Sequence, residues 1–211
     1  NAETWVWFDT NGEISLDSKV SGTISTPSAT SLGTWVGSNS AYLRQWFGIT
    51  PNNSLNQNFT QNQSSASAQP KFINSGVIIT KNGNPAIDFL SDIRHMQSNA
   101  NPDMGPATDF TVLSVSSNNT ANSDKGIVCT GFANVSWTLH NDSSSDKNLA
   151  KAIVSSTAYE SDLLAQQNTS NQKLISSVCK ANRDMVGYFN GTIQNTVAYS
   201  GNFYNFALRL G

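Results

Sequence analysis

The chain has 211 residues, a net charge of −2 and only 12% charged side chains, with its eight Lys and four Arg scattered along it. A nucleic-acid binder needs a basic stripe to neutralise phosphates, and an anionic membrane surface needs a similar cluster, so the composition disfavours both partners. No run of 18 apolar residues is present to form a spanning helix, and no signal peptide is recognisable; the start at Asn1 reads as a mature form, a cleavage product or a fragment.

Asn, Ser and Thr supply 74 of the 211 residues and Glu only three (Glu3, Glu13, Glu160). That balance favours strands joined by polar turns over helices. In chain order, TWVWF (4–8) alternates so that Trp5 and Trp7 share a strand face. Asn11-Gly12 then signals a hairpin turn, with a short strand expected near EISLD (13–17). Residues 18–40 read as loop with one edge strand near TWV (34–36), and 41–48 as an aromatic segment. Residues 50–69 are a polar, low-complexity stretch, read as a long ordered loop rather than a linker. The clearest local signal is GVIITKNGNPAIDF (76–89), two apolar runs around Asn82-Gly83.

Next, DFTVLSVS (109–116) alternates, with Phe110 and Val112 inward and Leu113 and Val115 as further inward candidates. GIVCTG (126–131) and ANVSWTLH (133–140) form a pair, and LAKAIVSSTA (149–158) is assigned to strand because Ile153, Val154 and Thr157 are β-branched. YESDLLAQQNTSNQ (159–172) has weak helical character. KLISSVC (173–179), DMVGYF (184–189) and TIQNTVAYS (192–200) close the domain, with a second hairpin turn at Asn190-Gly191 and a tail that is a helical turn or a last strand. Ten to thirteen short strands with regular turn signals mean an all-β sandwich or barrel, and 211 residues suit a single domain.

Four segments in order resemble the concanavalin-A-like lectin/glucanase superfamily in its laminin-G-like branch: WVGSNSAYLRQWFGITPNNSLNQNFTQN (35–62), QPKFINSGVIITKNGNPAIDF (69–89), FTVLSV (110–115) and GYFNGTIQNTVAY (187–199). The resemblance implies an antiparallel two-sheet jelly-roll sandwich over 1–211, with one sheet face able to accept a chain of sugar. Two departures bear on any family metal or ligand loop. Gly48 follows Trp46 and Phe47 where the family has an acidic residue, and Phe89-Leu90-Ser91 replaces an acidic-glycine ending.

Glycoside hydrolysis needs two carboxylates flanking the bond, and the superfamily's Glu-x-Asp-x-x-Glu strand pattern is not matched here. A lyase built on His140, His95 and Arg94 has no supporting spacing, and lone histidines are ordinarily structural or surface residues. No G-x-S-x-G, P-loop or dinucleotide fingerprint occurs. No catalytic or metal-ligating residue is assigned and no cofactor is expected. The oxygen-rich run Asn141–Asp146 is the best calcium candidate, but reads as a solvated hairpin tip. Cys129 and Cys179 make no disulfide scaffold, and are read as reduced and buried, with a single disulfide as the alternative. Sequons at Asn52, Asn58, Asn62, Asn118, Asn134, Asn141, Asn168 and Asn190 are close to the number this composition supplies by chance, and carry little information.

Sugar recognition stacks a ring on an exposed aromatic beside amides and carboxylates. Trp5, Trp7, Trp35, Trp46, Trp137, Tyr188 and Tyr199 are available, and most are expected in the core, Trp46 and Trp137 included. The ligand-binding residues therefore stay open. The function expected is a non-catalytic recognition module, glycan-binding or host-attaching, on a virion spike or fibre or a bacterial surface, and so extracellular or virion-borne. Its partners would be a surface glycan, other virion or surface proteins, or further copies of itself. A purely structural virion or oligomerisation domain is the alternative, and a carbohydrate-active enzyme the second alternative.

Overall fold

The structure is a computed structural model. It describes residues 2–23, 25–47, 58–60, 65–89, 95–98, 109–117, 125–132, 135–142, 147–154, 157–166, 172–180, 184–198 and 208–210, with 47, 58–60, 67, 208–210 and the strands between 125 and 166 described as backbone. In chain order the elements are β1 (Trp5–Val6), β2 (Val20–Ser21), α1 (Leu32–Val36), β3 (Ala41–Tyr42), β4 (Gln45–Phe47), β5 (Asn58–Thr60), a 3-10 turn (Ala66–Ala68), β6 (Lys71–Asn74), β7 (Val77–Ile78), β8 (Thr80–Lys81) and β9 (Asn84–Pro85). They continue with β10 (Met96–Ser98), β11 (Phe110–Ser116), β12 (Lys125–Phe132), β13 (Val135–Asp142), β14 (Lys147–Val154), β15 (Thr157–Gln166), β16 (Lys173–Cys179), β17 (Asp184–Phe189), β18 (Thr192–Ala198) and β19 (Leu208–Leu210). Every pairing among the described strands is antiparallel, so the chain is all-β.

The chain forms two compact units. The first comprises Asn1–Arg44 and Gln63–Arg94. Its sheets are small: β1-β2, β3-β6-β7 and β8-β9. Val20, Leu32, Val36 and Ile73 form its buried core, with Trp35, Phe72 and Ile78 packed against it. Contrary to the strand expected at 34–36, Thr34, Trp35 and Val36 lie in α1. Ser31 caps this helix, its side chain accepting from the Thr34 N–H, and Leu32 and Val36 fall on one buried face at i,i+4 spacing. The strand expected at 13–17 is also absent; Asp9 folds the chain back instead, its carboxylate accepting the N–H groups of Asn11 and Glu13. The Asn82-Gly83 hairpin forms as expected. Both residues have positive φ (51° and 82°), the combination a two-residue hairpin loop requires.

The second unit comprises Gln45–Asn62 and His95–Gly211. It holds an eight-stranded sheet, ordered β15-β14-β13-β12-β19-β10-β5-β4, and a four-stranded sheet, ordered β11-β16-β17-β18. β15 runs alongside β17 and β18, β14 approaches β17, and β11 comes near β12, so the two sheets pack together. Met96, Ile175, Cys179 and Met185 are each 0–1% exposed and mark the core. Asn190-Gly191 turns β17 into β18 with φ of 47° and 80°. Asn190 also closes the neighbouring ladder: its N–H donates to the Leu174 carbonyl and its Oδ1 accepts the Leu174 N–H.

Three expectations change in this unit. Residues 159–166 of the weakly helical 159–172 are strand, because β15 completes a ladder with β14 from Val154↔Thr157 to Lys147↔Gln166. Tertiary pairing overrides weak helical propensity there. The polar stretch 50–69 contains a strand, β5, which pairs with both β4 and β10. Leu113 and Val115 point outward, 64% and 62% exposed, because strict alternation with Phe110 and Val112 inward puts residues 113 and 115 on the opposite face.

Candidate functional site

The sequence candidates scatter. Trp5 and Trp7 are half-buried on or beside β1, and Trp35 is half-buried against the core of the first unit. The Trp7 Nε1 is buried and has no partner among the described residues. Trp46, expected in the core, is 46% exposed, because β4 is the outermost strand of its sheet and only three residues long. Trp137 and His140 lie on β13, and His95 immediately precedes β10. Asn58 and Asn141 are strand residues and Asn190 is an exposed turn residue. Arg94, Tyr199, 143–146 of the calcium candidate, and Asn52, Asn62, Asn118, Asn134 and Asn168 lie outside the described residues. Cys179 is free and buried on β16, while Cys129 stands on β12 in the other sheet. Among the described residues, no three His, Cys, Asp or Glu gather to hold a metal, and no helix is long and apolar enough to cross a membrane.

What the fold does assemble is a pair of contrasting sheet faces in the second unit. Directly opposed residues on successive strands share a face. Following the register across the eight-stranded sheet gives one unbroken row: Gln45 (β4), Thr60 (β5), Gln97 (β10), Arg209 (β19), Cys129 (β12), Thr138 (β13), Lys151 (β14) and Glu160 (β15). Seven of these eight are polar or charged. The adjacent row, one residue along each strand and so on the other face, reads Met96, Leu210, Val128, Leu139, Ala150 and Ser161. On β10, Met96 is 0% exposed and Gln97 half-buried, so Met96 stands on the core side of the sheet and Gln97 on the other. At the usual spacing between strands the polar row is about 34 Å long. His140 and Asp162 occupy the same face, each two residues from a member of the row.

Glu160 and Asp162 therefore form an i,i+2 pair on one strand face, about 6.7 Å apart along the backbone. Lys151 is directly opposite Glu160.

The outward face of the four-stranded sheet is different in kind. Its central row is Leu113, Ser176, Tyr188 and Ile193, with Val115 opposite Leu174 beside it. Leu113, Val115 and Ile193 are 59–64% exposed, and Tyr188 is half-buried among them. Aliphatic side chains offer no hydrogen bonds to hydroxyl groups, so this face suits an apolar protein surface better than a sugar.

No family model matches the chain, and no curated protein matches it. Among solved structures it is similar to the carbohydrate-binding module CBM66 from Bacillus subtilis, with a TM-score of 0.37 and 10% sequence identity over 55% of this chain and 72% of that one.

Proposed function

We propose that the chain is a non-catalytic glycan-recognition module, one lectin-like jelly-roll domain over 1–211, that binds an extended saccharide along the polar row of its eight-stranded sheet. The observation that carries this reading is the row itself: eight successive strands present Gln, Thr, Gln, Arg, Cys, Thr, Lys and Glu in register. Amide, hydroxyl and charged groups spaced one strand apart are the donors and acceptors that sugar hydroxyls need. A chain of sugars laid across the strands meets a new polar residue at about every 4.8 Å. The resemblance of residues 35–200 to a lectin superfamily is in keeping with this use of a sheet face, as is the scarcity of charge that would draw other ligands. The setting proposed is extracellular, on a virion spike or fibre or a bacterial surface, where such a module attaches its carrier to host glycans.

A glycan array probed with the assembled protein tests the reading, followed by incubation of any bound oligosaccharide and analysis for cleavage. Binding without product is expected. An array without a binder contradicts glycan recognition; release of shortened product contradicts the non-catalytic assignment and would direct attention to Glu160 and Asp162.

A second reading, a structural or oligomerisation domain of a virion, draws on a separate observation, the exposed Leu113, Val115 and Ile193 of the four-stranded sheet. The two readings use opposite faces of the second unit's two sheets and can hold together.

A further inference from the structure

Three Asn-Gly dipeptides stand in the chain, Asn11-Gly12, Asn82-Gly83 and Asn190-Gly191, and all six residues are exposed. Asparagine before glycine is prone to a reaction with its own backbone, because glycine has no side chain to shield its nitrogen from the carboxamide. Alike in sequence, the three differ in how the fold holds the reacting groups. At Asn11-Gly12 the attacking nitrogen is engaged: the Gly12 N–H donates to the Asp9 carbonyl at 3.0 Å, and the Asn11 N–H to Asp9 Oδ1 at 2.9 Å. At Asn190-Gly191 the carboxamide is engaged: its Oδ1 accepts the Leu174 N–H at 3.1 Å, while the Asn190 N–H donates to the Leu174 carbonyl at 2.8 Å. That turn also closes the ladder of β17 and β18, which runs from Asp184↔Ala198 to Phe189↔Thr192 and includes buried Met185 and Val186.

Asn82-Gly83 tops a much weaker support. β8 and β9 pair only at Thr80↔Pro85 and Lys81↔Asn84, with one further bond at the base, from the Ala86 N–H to the Ile79 carbonyl. Asn82, Gly83, Asn84 and Pro85 are all exposed, the Asn84 Nδ2 donates to the Asn82 carbonyl at 3.3 Å, and a Cβ at Gly83 would meet nothing within 4 Å. Closing a ring between the Gly83 nitrogen and the Asn82 carboxamide turns the backbone out of this left-handed loop, with its φ of 51° and 82°. The rate therefore follows the cost of opening, and a short exposed ladder opens most cheaply. We propose that Asn82 is a self-modification site, at which the Gly83 backbone nitrogen cyclises onto the Asn82 carboxamide when the β8–β9 hairpin opens. Hydroxide takes the Gly83 N–H proton and the nitrogen bonds to Cγ. The Cγ–Nδ2 bond breaks, and Nδ2 leaves as ammonia with a proton from water. Water then opens the succinimide at either carbonyl, giving aspartate or isoaspartate. Both products place a negative charge beside Lys81. Isoaspartate also lengthens the backbone by one methylene, which a two-residue hairpin loop does not absorb in register. The inference is independent of the glycan reading, since the polar row contains no residue of this hairpin.

Peptide mapping of the folded chain, aged in warm and mildly alkaline buffer, tests this, with electron-transfer fragmentation to separate aspartate from isoaspartate. Asn82 is expected to convert roughly tenfold faster, or more, than Asn11 and Asn190, with isoaspartate among its products. The same chain unfolded in guanidinium is the reference. There the three sites should convert within about threefold of one another, because the structure that separates them is gone. Conversion of Asn82 should quicken from neutral to alkaline pH, since the attacking nitrogen must lose its proton. Folded-state conversion of Asn11 or Asn190 as fast as that of Asn82, or an Asn82 that stays intact while the unfolded chain converts, would overturn the proposal. So would aspartate formed at Asn82 without isoaspartate, which is direct hydrolysis without the Gly83 nitrogen. An unfolded chain that keeps the full preference for Asn82 would assign it to local sequence rather than to the hairpin, and would overturn it too.

Discussion

Gly76 stands where a larger residue does not fit: its φ is +80°, and a Cβ there would lie 2.4 Å from the Gly37 carbonyl oxygen. Gly83 has nearly the same φ, +82°, but open space around it. Gly83→Ala should therefore cost about 1 kcal/mol, the strain of the left-handed conformation alone, and Gly76→Ala distinctly more. Urea denaturation of the two variants checks the order; equal losses would contradict it. Ser177 offers the opposite case. Its hydroxyl is 0% exposed and has no partner among the described residues, so Ser177→Ala should leave stability unchanged or raise it by up to about 1 kcal/mol. Asp9 is held below the ordinary aspartate range, chiefly by the Glu13 N–H its carboxylate accepts, then by the Ser15 hydroxyl and the Asn11 N–H. A depressed folded value means the carboxylate supports its turn above the unfolded aspartate pKa and loses that support as pH falls through the folded value. An NMR titration should place the Asp9 midpoint below that of an unstructured peptide; a midpoint at or above it would refute the assignment. Sequence reading reached Asn82-Gly83 and Asn190-Gly191 because Asn-Gly is the dipeptide most tolerant of two positive φ values. It missed the equivalent Ser75-Gly76 turn, with φ of 49° and 80°, because serine signals that geometry less strongly.

At the scale of elements, strands with strict alternation or β-branched runs were the legible ones. The hairpin of β12 and β13 and the succession β16, β17 and β18 stand where the pattern placed them. The segment 159–166 was not legible as strand because Leu163, Leu164, Ala165 and Gln166 favour helix locally, and only the ladder to β14 outweighs that preference. Residues 34–36 were misread for the converse reason: Trp and Val favour strands, but the Ser31 cap and the i,i+4 burial of Leu32 and Val36 favour one turn of helix. Ser31→Ala should remove about 1 kcal/mol by leaving the Thr34 N–H uncapped. Burial also orders the strands by expected rigidity. β17 has Met185, Val186 and Gly187 buried in succession and lies between two neighbours, while β8 and β9 form an isolated two-residue ladder. Native-state hydrogen exchange should be slowest in β16 and β17 and fastest in the β8–β9 hairpin.

At the scale of the whole molecule, the composition pointed to an all-β chain, but the candidate site was not visible in it. The polar row joins residues from 45 to 209, and no one strand shows more than one of its members. Only the register across eight strands aligns them. The aromatic candidates were legible as residues but not as a site, since the fold leaves Trp46 exposed at a sheet rim and sets Tyr188 among aliphatic side chains. The single-domain proposal predicts one unfolding transition, coincident by tryptophan fluorescence and far-UV circular dichroism; two separated transitions would instead make the two compact units independent domains.

The most direct measurement for the polar face is saccharide affinity, by titration calorimetry with the best array ligand, for three variants. Gln97→Ala and Thr138→Ala, both in the row, should each weaken binding by about tenfold, the worth of one or two hydrogen bonds. Tyr188→Ala, on the four-stranded sheet, should leave it unchanged. Affinity lost with Tyr188 and kept without Gln97 and Thr138 would contradict the account.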